Sequence, residues 1–95
     1  MRYGIILAPE AVEDLRHLKA NVRAEVRDAI ARHLRHRPAK TSKTRIKRLR
    51  GLARPQFRLR VGDVRVFYDV VGPEVHVLAI VSKAEAEKWL ERAGE

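Results

Sequence analysis

The chain has 95 residues, 45% of them hydrophobic and 35% charged, with a formal net charge of +9. This length fits one domain, residues 1–95, with a single modest core, and the apolar content excludes disorder by composition. No apolar run approaches the roughly eighteen residues of a membrane span, no secretory leader pattern opens the chain, and the lack of cysteine excludes disulfides and thiolate chemistry. A cytoplasmic protein with no membrane partner is expected. The positive charge predicts attraction to polyanions or an acidic partner. It is also segregated: ten basic residues lie between Lys40 and Arg65, with Asp63 the only acid among them.

Arg2 to Leu7 reads as a short apolar strand closed by Pro9, a residue well suited to the first turn of a helix. Val12, Leu15 and Leu18 recur at three-residue spacing, and Glu10, Glu13 and Asp14 crowd the first turn, where the dipole favours anions. Asn21 is the expected break and N-cap. A second helix is then predicted to about Arg35, with Val22, Val26, Ile30 and Leu34 at four-residue spacing and mixed charge on the other face. Two amphipathic helices with so short a join predict an antiparallel hairpin, ended by Pro38. From Ala39 to Arg50 the hydrophobic rhythm nearly disappears, and Ile46 and Leu49 are the only anchors for a short edge strand or turn. A solvated basic loop and a phosphate-binding surface are both open readings of this stretch.

Phe57 to Val70 (FRLRVGDVRVFYDV) reads as two alternating strands joined by Gly62-Asp63, a pair that suits a two-residue hairpin. Counting outward, Val61 faces Val64, Arg60 faces Arg65, Leu59 faces Val66, Arg58 faces Phe67 and Phe57 faces Tyr68. One face then carries Phe57, Leu59, Val61, Val64, Val66 and Tyr68, and the other Arg58, Arg60, Arg65 and Phe67. Like charges directly opposed cost up to about 1 kcal/mol, so the arrangement is not explained by stability. Either these are three solvated arginines, or they are a site for phosphate oxygens, which guanidinium groups bind through charge-assisted bonds.

Gly72-Pro73 makes the next turn. Continuing the count places Tyr68 opposite Val77, Val66 opposite Ala79 and Val64 opposite Val81, with Leu78 beside Phe67 and Ile80 beside Arg65 on the second face. His76 is expected to pair with Asp69, roughly 13 Å along the strand from Arg65 and too far for proton transfer there. Ser82 to Glu85 is a capping box opening a helix from Lys83 to Ala93, with Ala86, Trp89, Leu90 and Ala93 on its apolar side. The predicted fold is α+β: an N-terminal strand, an antiparallel helical hairpin packed on a small, mainly antiparallel sheet, and a short C-terminal helix.

This order of elements, with RLRG at Arg48 to Gly51, FRLRVGDVRVFYDV and the closing VLAIVSKAEAEKWL, resembles the RelE/ParE superfamily of toxins from type II toxin–antitoxin pairs. The quoted words span about half the chain. The resemblance, strongest to the RelE-like branch, implies a ribosome-dependent mRNA endonuclease that works without metal or other cofactor. A ParE-like poison of DNA gyrase, or a relic that binds RNA or antitoxin without cutting, is the alternative. Carried over by position, Arg58 and Arg60 match residues that hold the RNA backbone, and Arg65 matches the arginine at the scissile phosphate. Lys83 falls where RelE has a further catalytic arginine, and Trp89 where it has a functional tyrosine, so an aromatic body is kept for stacking without the hydroxyl. Implied partners are the cognate antitoxin, the ribosome and mRNA, with operator DNA reached through the antitoxin.

Cleavage through the 2′-hydroxyl needs a base, charge on the phosphoryl oxygens and an acid for the leaving 5′-oxygen. Arginine supplies charge but stays protonated. Lys83, at a helix N-terminus beside the arginines, is expected to have a lowered pKa and to be the better proton-transfer group, a solvated first-turn lysine being the plain alternative. Lys43, Arg45, Lys47, Arg48, Arg50, Arg54 and Trp89 are the expected RNA-binding residues. Phe67, Leu78 and Ile80 form an apolar strip expected to seat the antitoxin or to pack under the terminal helix. His17, His33 and His36 are expected at the surface, Tyr68 in the core, and no spacing resembles a metal cluster.

Overall fold

The computed structural model describes residues 2–51 and 53–93. Strand β1 (Gly4–Leu7) leads into helices α1 (Pro9–Arg16) and α2 (Ala20–Leu34). Strands β2 (Ile46–Arg48), β3 (Phe57–Val61), β4 (Val64–Val71) and β5 (Glu74–Ser82) follow, and helix α3 (Lys83–Ala93) closes the chain. The strands form one sheet in the order β1-β5-β4-β3-β2, antiparallel except for β1 against β5. Among the described residues no helix is long and apolar enough to cross a membrane.

Helix α1 lies over β5 and β1, and α2 over β3, so one sheet face is covered by both helices. Val26, Ile30 and Leu34 of α2, at the predicted four-residue spacing, are buried there against Leu59, Val66, Tyr68, Val75 and Val77. In α1 the buried stripe is Ala11 and Leu15, with Leu18 beyond it, whereas Val12 is exposed. The smaller Ala11 lets the helix sit close to the sheet. Helix α2 starts after Lys19, whose side chain makes no capping bond, and the expected break at Asn21 falls inside its first turn. The chain needs only His17, Leu18, which packs against the core, and Lys19 to change direction.

The β3–β4 hairpin has the predicted register at all five pairs, with Gly62 in the left-handed region at φ +56°. On the core face Phe57 and Tyr68 stack, their rings 5.5 Å apart. The buried Tyr68 hydroxyl, its pKa pushed up by burial, donates to the Pro38 carbonyl at 2.6 Å and ties the basic loop to the core.

The β4–β5 pairing departs from the count. It runs as expected from Val71–Glu74 to Tyr68–Val77, then slips by one residue, so that Phe67 faces Ala79, Val66 faces Ile80 and Arg65 faces Val81. Leu78 is the extra residue of a β-bulge, and every side chain beyond it changes face. Ile80, expected on the second face, is therefore buried in the main core. Beyond Val77, β5 has no β1 partner for its outer edge, and Asp14 of α1 accepts the Ile80 N–H at 2.9 Å instead. Burial raises the Asp14 pKa, and that hydrogen bond opposes the rise.

Candidate nucleic-acid interface

The face of the sheet opposite the two helices is built from alternate residues of β3, β4 and β5, and it divides into two parts. In one, Phe67 and Ala79 are covered by α3: the Trp89 indole stacks on the Phe67 ring at 4.9 Å and 6°, and its N–H donates to Glu10 at 3.2 Å. Helix α3 is started by Ser82, whose hydroxyl accepts the Glu85 N–H, as the capping box predicts. Trp89 and Phe67 are both buried, so the indole is not free to stack on a base and Phe67 is not an open seat. These placements leave Trp89 no free face for a base, put Phe67 under the terminal helix as the second reading of the strip expected, and correct the placement of Ile80, which lies in the main core. Of that strip, Leu78 is partly exposed and packs against the edge of the Phe67 cluster.

The other part carries the arginines. Arg60 and Arg65 are directly paired, Arg58 lies beside them, and Lys47 of β2 pairs with Arg58. Arg65 is only 7% exposed, because its guanidinium folds back and donates from Nη1 to the carbonyls of Gly62 (2.8 Å) and Val64 (3.1 Å). Arg58 is half-buried, and its Nε has no hydrogen-bond partner. Burial first, then Arg65 and Arg60, pulls the Arg58 pKa below the usual guanidinium value. The three side chains are thus close enough to repel one another. Among the described residues none of them is in an ion pair with a carboxylate. Charge this poorly compensated favours an incoming anion.

The remaining basic residues are dispersed. Lys43, Arg45, Lys47 and Arg50 are exposed around β2, where the Arg45 carbonyl accepts the Arg60 N–H at 2.8 Å. Arg48 points to the helix-covered side and lies over the Phe57 ring, 5.3 Å from its centroid. Arg54 is engaged within the protein, its Nε donating to Asp69 at 2.8 Å. The buried Asp69 also accepts the Gln56 N–H, and the Gln56 side chain accepts the Val70 N–H, so this carboxylate holds the 54–56 loop onto β4. The expected Asp69–His76 pair is not made: the two oppose each other in register, but His76 bonds Glu74 on its own strand at 3.0 Å. Asp69 is claimed by the loop, a partnership invisible to strand counting.

Lys83 is the first residue of α3, and its backbone N–H donates to the Asp63 carbonyl at 2.7 Å. The start of the helix is therefore fastened to the same hairpin turn that the Arg65 guanidinium holds from below. The Lys83 side chain is exposed beside Asp63, at the rim of the arginine cluster's turn.

The sequence model of the ParE toxin of the type II toxin–antitoxin system parDE matches residues 5–87. The chain belongs to this toxin family. It is a type II toxin of the RelE/ParE superfamily, as the sequence words and topology had implied. No curated protein sequence matches it. Among solved structures, the toxin's fold is similar to that in the RelBE2 complex of Mycobacterium tuberculosis, with TM-score 0.72 and 24% identity over 86% of this chain and 99% of that one. It is also similar to the fold in the RelB–RelE complex of Methanococcus jannaschii, with TM-score 0.69 and 20% identity over 88% and 96%. The isolated E. coli RelE toxin gives TM-score 0.65 and 18% identity over 93% and 98%. At these identities the likeness is one of fold.

Proposed function

We propose that this toxin is an endoribonuclease that cuts mRNA held in the ribosome and so stops translation. The observation that carries the reading is the Arg58–Arg60–Arg65 cluster, packed at a cost of mutual repulsion and, among the described residues, without a carboxylate partner. In the proposed reaction the 2′-hydroxyl gives up its proton to water, the 2′-oxygen bonds to phosphorus, the P–O5′ bond breaks, and a 2′,3′-cyclic phosphate and a 5′-hydroxyl result. The guanidinium groups neutralise charge as it grows on the phosphoryl oxygens. Arg65, held rigidly by the turn carbonyls, is pre-organised for that task, and Arg58 and Arg60 hold the flanking backbone. Lys83 delivers a proton to the leaving 5′-oxygen from the edge of the same turn. Lys43, Arg45, Lys47 and Arg50 extend the electrostatic footprint toward ribosomal RNA.

The toxin's cognate antitoxin is an acidic partner, as the +9 charge requires for neutralisation, and the pair reaches operator DNA through the antitoxin. The test is induced expression in cells with primer extension on ribosome-bound mRNA. Cut transcripts and arrested translation are expected, both lost in Arg65→Ala. A second reading, a ParE-like gyrase poison, is favoured by one observation: the aromatic at position 89 has no hydroxyl and is buried in the protein's own packing. Intact transcripts alongside an SOS response would select it over the nuclease.

A further inference from the structure

On the helix-covered side, where α2 runs out toward β2, a pocket of about 280 Å³ is lined by Arg32, His33, His36, Arg37, Lys40 and Arg45, together with Thr41, Ser42 and Ile46. None of Arg58, Arg60 and Arg65 lines it, and among the described residues no carboxylate does. The nearby Asp28 is taken by Arg32 at 3.0 Å. The pocket is built, because its loop is fixed at three points. The Tyr68 hydroxyl holds the Pro38 carbonyl, the Arg37 carbonyl accepts the Lys40 N–H, and the Ser42 hydroxyl accepts the Arg45 and Ile46 N–H groups at 3.0 and 3.1 Å. The C-terminal end of a helix favours cations near it. Here it gathers more of them than the local carboxylates neutralise, beside two hydroxyls able to donate.

We propose that this pocket is a phosphate-binding site, distinct from the arginine face, in which the basic side chains and the Thr41 hydroxyl coordinate a phosphoryl group. The guanidinium groups of Arg37 and Arg45 supply bidentate donors, and Lys40 supplies a point charge. His33 makes the site a proton-coupled one. His33 is half-buried and faces Arg32 and Asp28 on α2, His36 and Arg37 just beyond it, and Lys40 and Arg45 on the loop. Burial, then Arg45 and Arg32, hold its imidazole neutral to lower pH than usual, with Asp28 opposing. A bound phosphoryl anion reverses that balance, so binding takes up a proton and tightens as pH falls.

The test follows the His33 and His36 imidazole resonances by NMR across a pH titration of the full chain. It has two arms: saturating inorganic phosphate, and a short RNA with hydroxyls at both ends. In at least one arm the His33 midpoint should rise by about one pH unit. A response to RNA identifies a backbone phosphodiester as the source, and a response to inorganic phosphate alone identifies a free anion. Arg37→Gln with Arg45→Gln, both exposed, should remove the response, with Lys40→Gln and Arg45→Gln as a second pair should the first fail to fold. No shift in either arm, or a shift that persists in a folded double variant, would overturn the site. The readout does not require RNA cutting, and because Arg45 also belongs to the proposed RNA footprint, Arg37→Gln with Lys40→Gln is the pair that separates this site from the nuclease reading.

Discussion

Arg65 and Phe67 are two residues apart on one strand and face the same way, yet the two halves of that face are built on opposite terms. Around Phe67, an indole stacks at 4.9 Å and donates its only polar hydrogen to Glu10. Around Arg65, guanidinium groups crowd together, one nitrogen is buried without a partner, and among the described residues no ion pair relieves them. The closed half is stabilised by burial and dispersion, the arginine half destabilised by its own charge. A small domain has little stability to spare. Under the proposed function, a region that works against it is where an external anion completes the structure.

Opening the closed half should have the largest effect. Trp89→Ala removes the cover of Phe67 and Ala79 and should cost about 3–5 kcal/mol, read as a lower denaturation midpoint. Trp89→Tyr should keep most of that stability, and under the nuclease reading it should not change the cleavage rate, because the ring stays buried. Next, Asp69→Ala releases Arg54 and the Gln56 N–H that rest on β4, and should cost about 2 kcal/mol in chemical denaturation. A smaller loss, about 1 kcal/mol, is expected from Asp14→Ala, which strands the Ile80 N–H created by the bulge. Asp14→Asn should largely restore it, because the amide oxygen still accepts that hydrogen.

The smallest effect is a pH slope. His33 has a folded pKa below its ordinary 6.5, so the unfolded chain binds the proton more readily. Its contribution to stability is full above pH 6.5 and is lost as pH falls through the lower folded value. His33→Gln should flatten that slope in melting curves between pH 7 and 5, with phosphate-free buffer.

Much of this was legible in the sequence because strand alternation is strict. The Gly62 turn set the β3–β4 register, and with it the meeting of Arg60 and Arg65, by counting alone. The same counting failed after Tyr68, because nothing local in VHVLAIV announces that Leu78 is bulged out. The cause lies elsewhere, in the end of β1 and the carboxylate that Asp14 offers from α1. That single slip moved Ile80 from the proposed docking strip into the core. Side-chain partnerships across the fold were the other gap. Asp69 with Arg54 and Gln56, Trp89 with Glu10 and Tyr68 with Pro38 each join residues thirteen or more apart, which periodicity does not encode. Trp89 was correctly placed on the apolar side of α3, but whether that side closed on the sheet depended on Phe67 and Ala79 presenting a matching surface.

Arg58→Met tests the central claim most directly, because it removes one uncompensated charge while keeping an apolar stem of similar reach. Thermal melting and primer extension on programmed ribosomes are to be measured on the same preparation. The expected result is a gain of about 1 kcal/mol in stability with cleavage sharply reduced. A variant that melts earlier yet cuts as well as the parent would mean that the cluster serves the fold and not an RNA backbone.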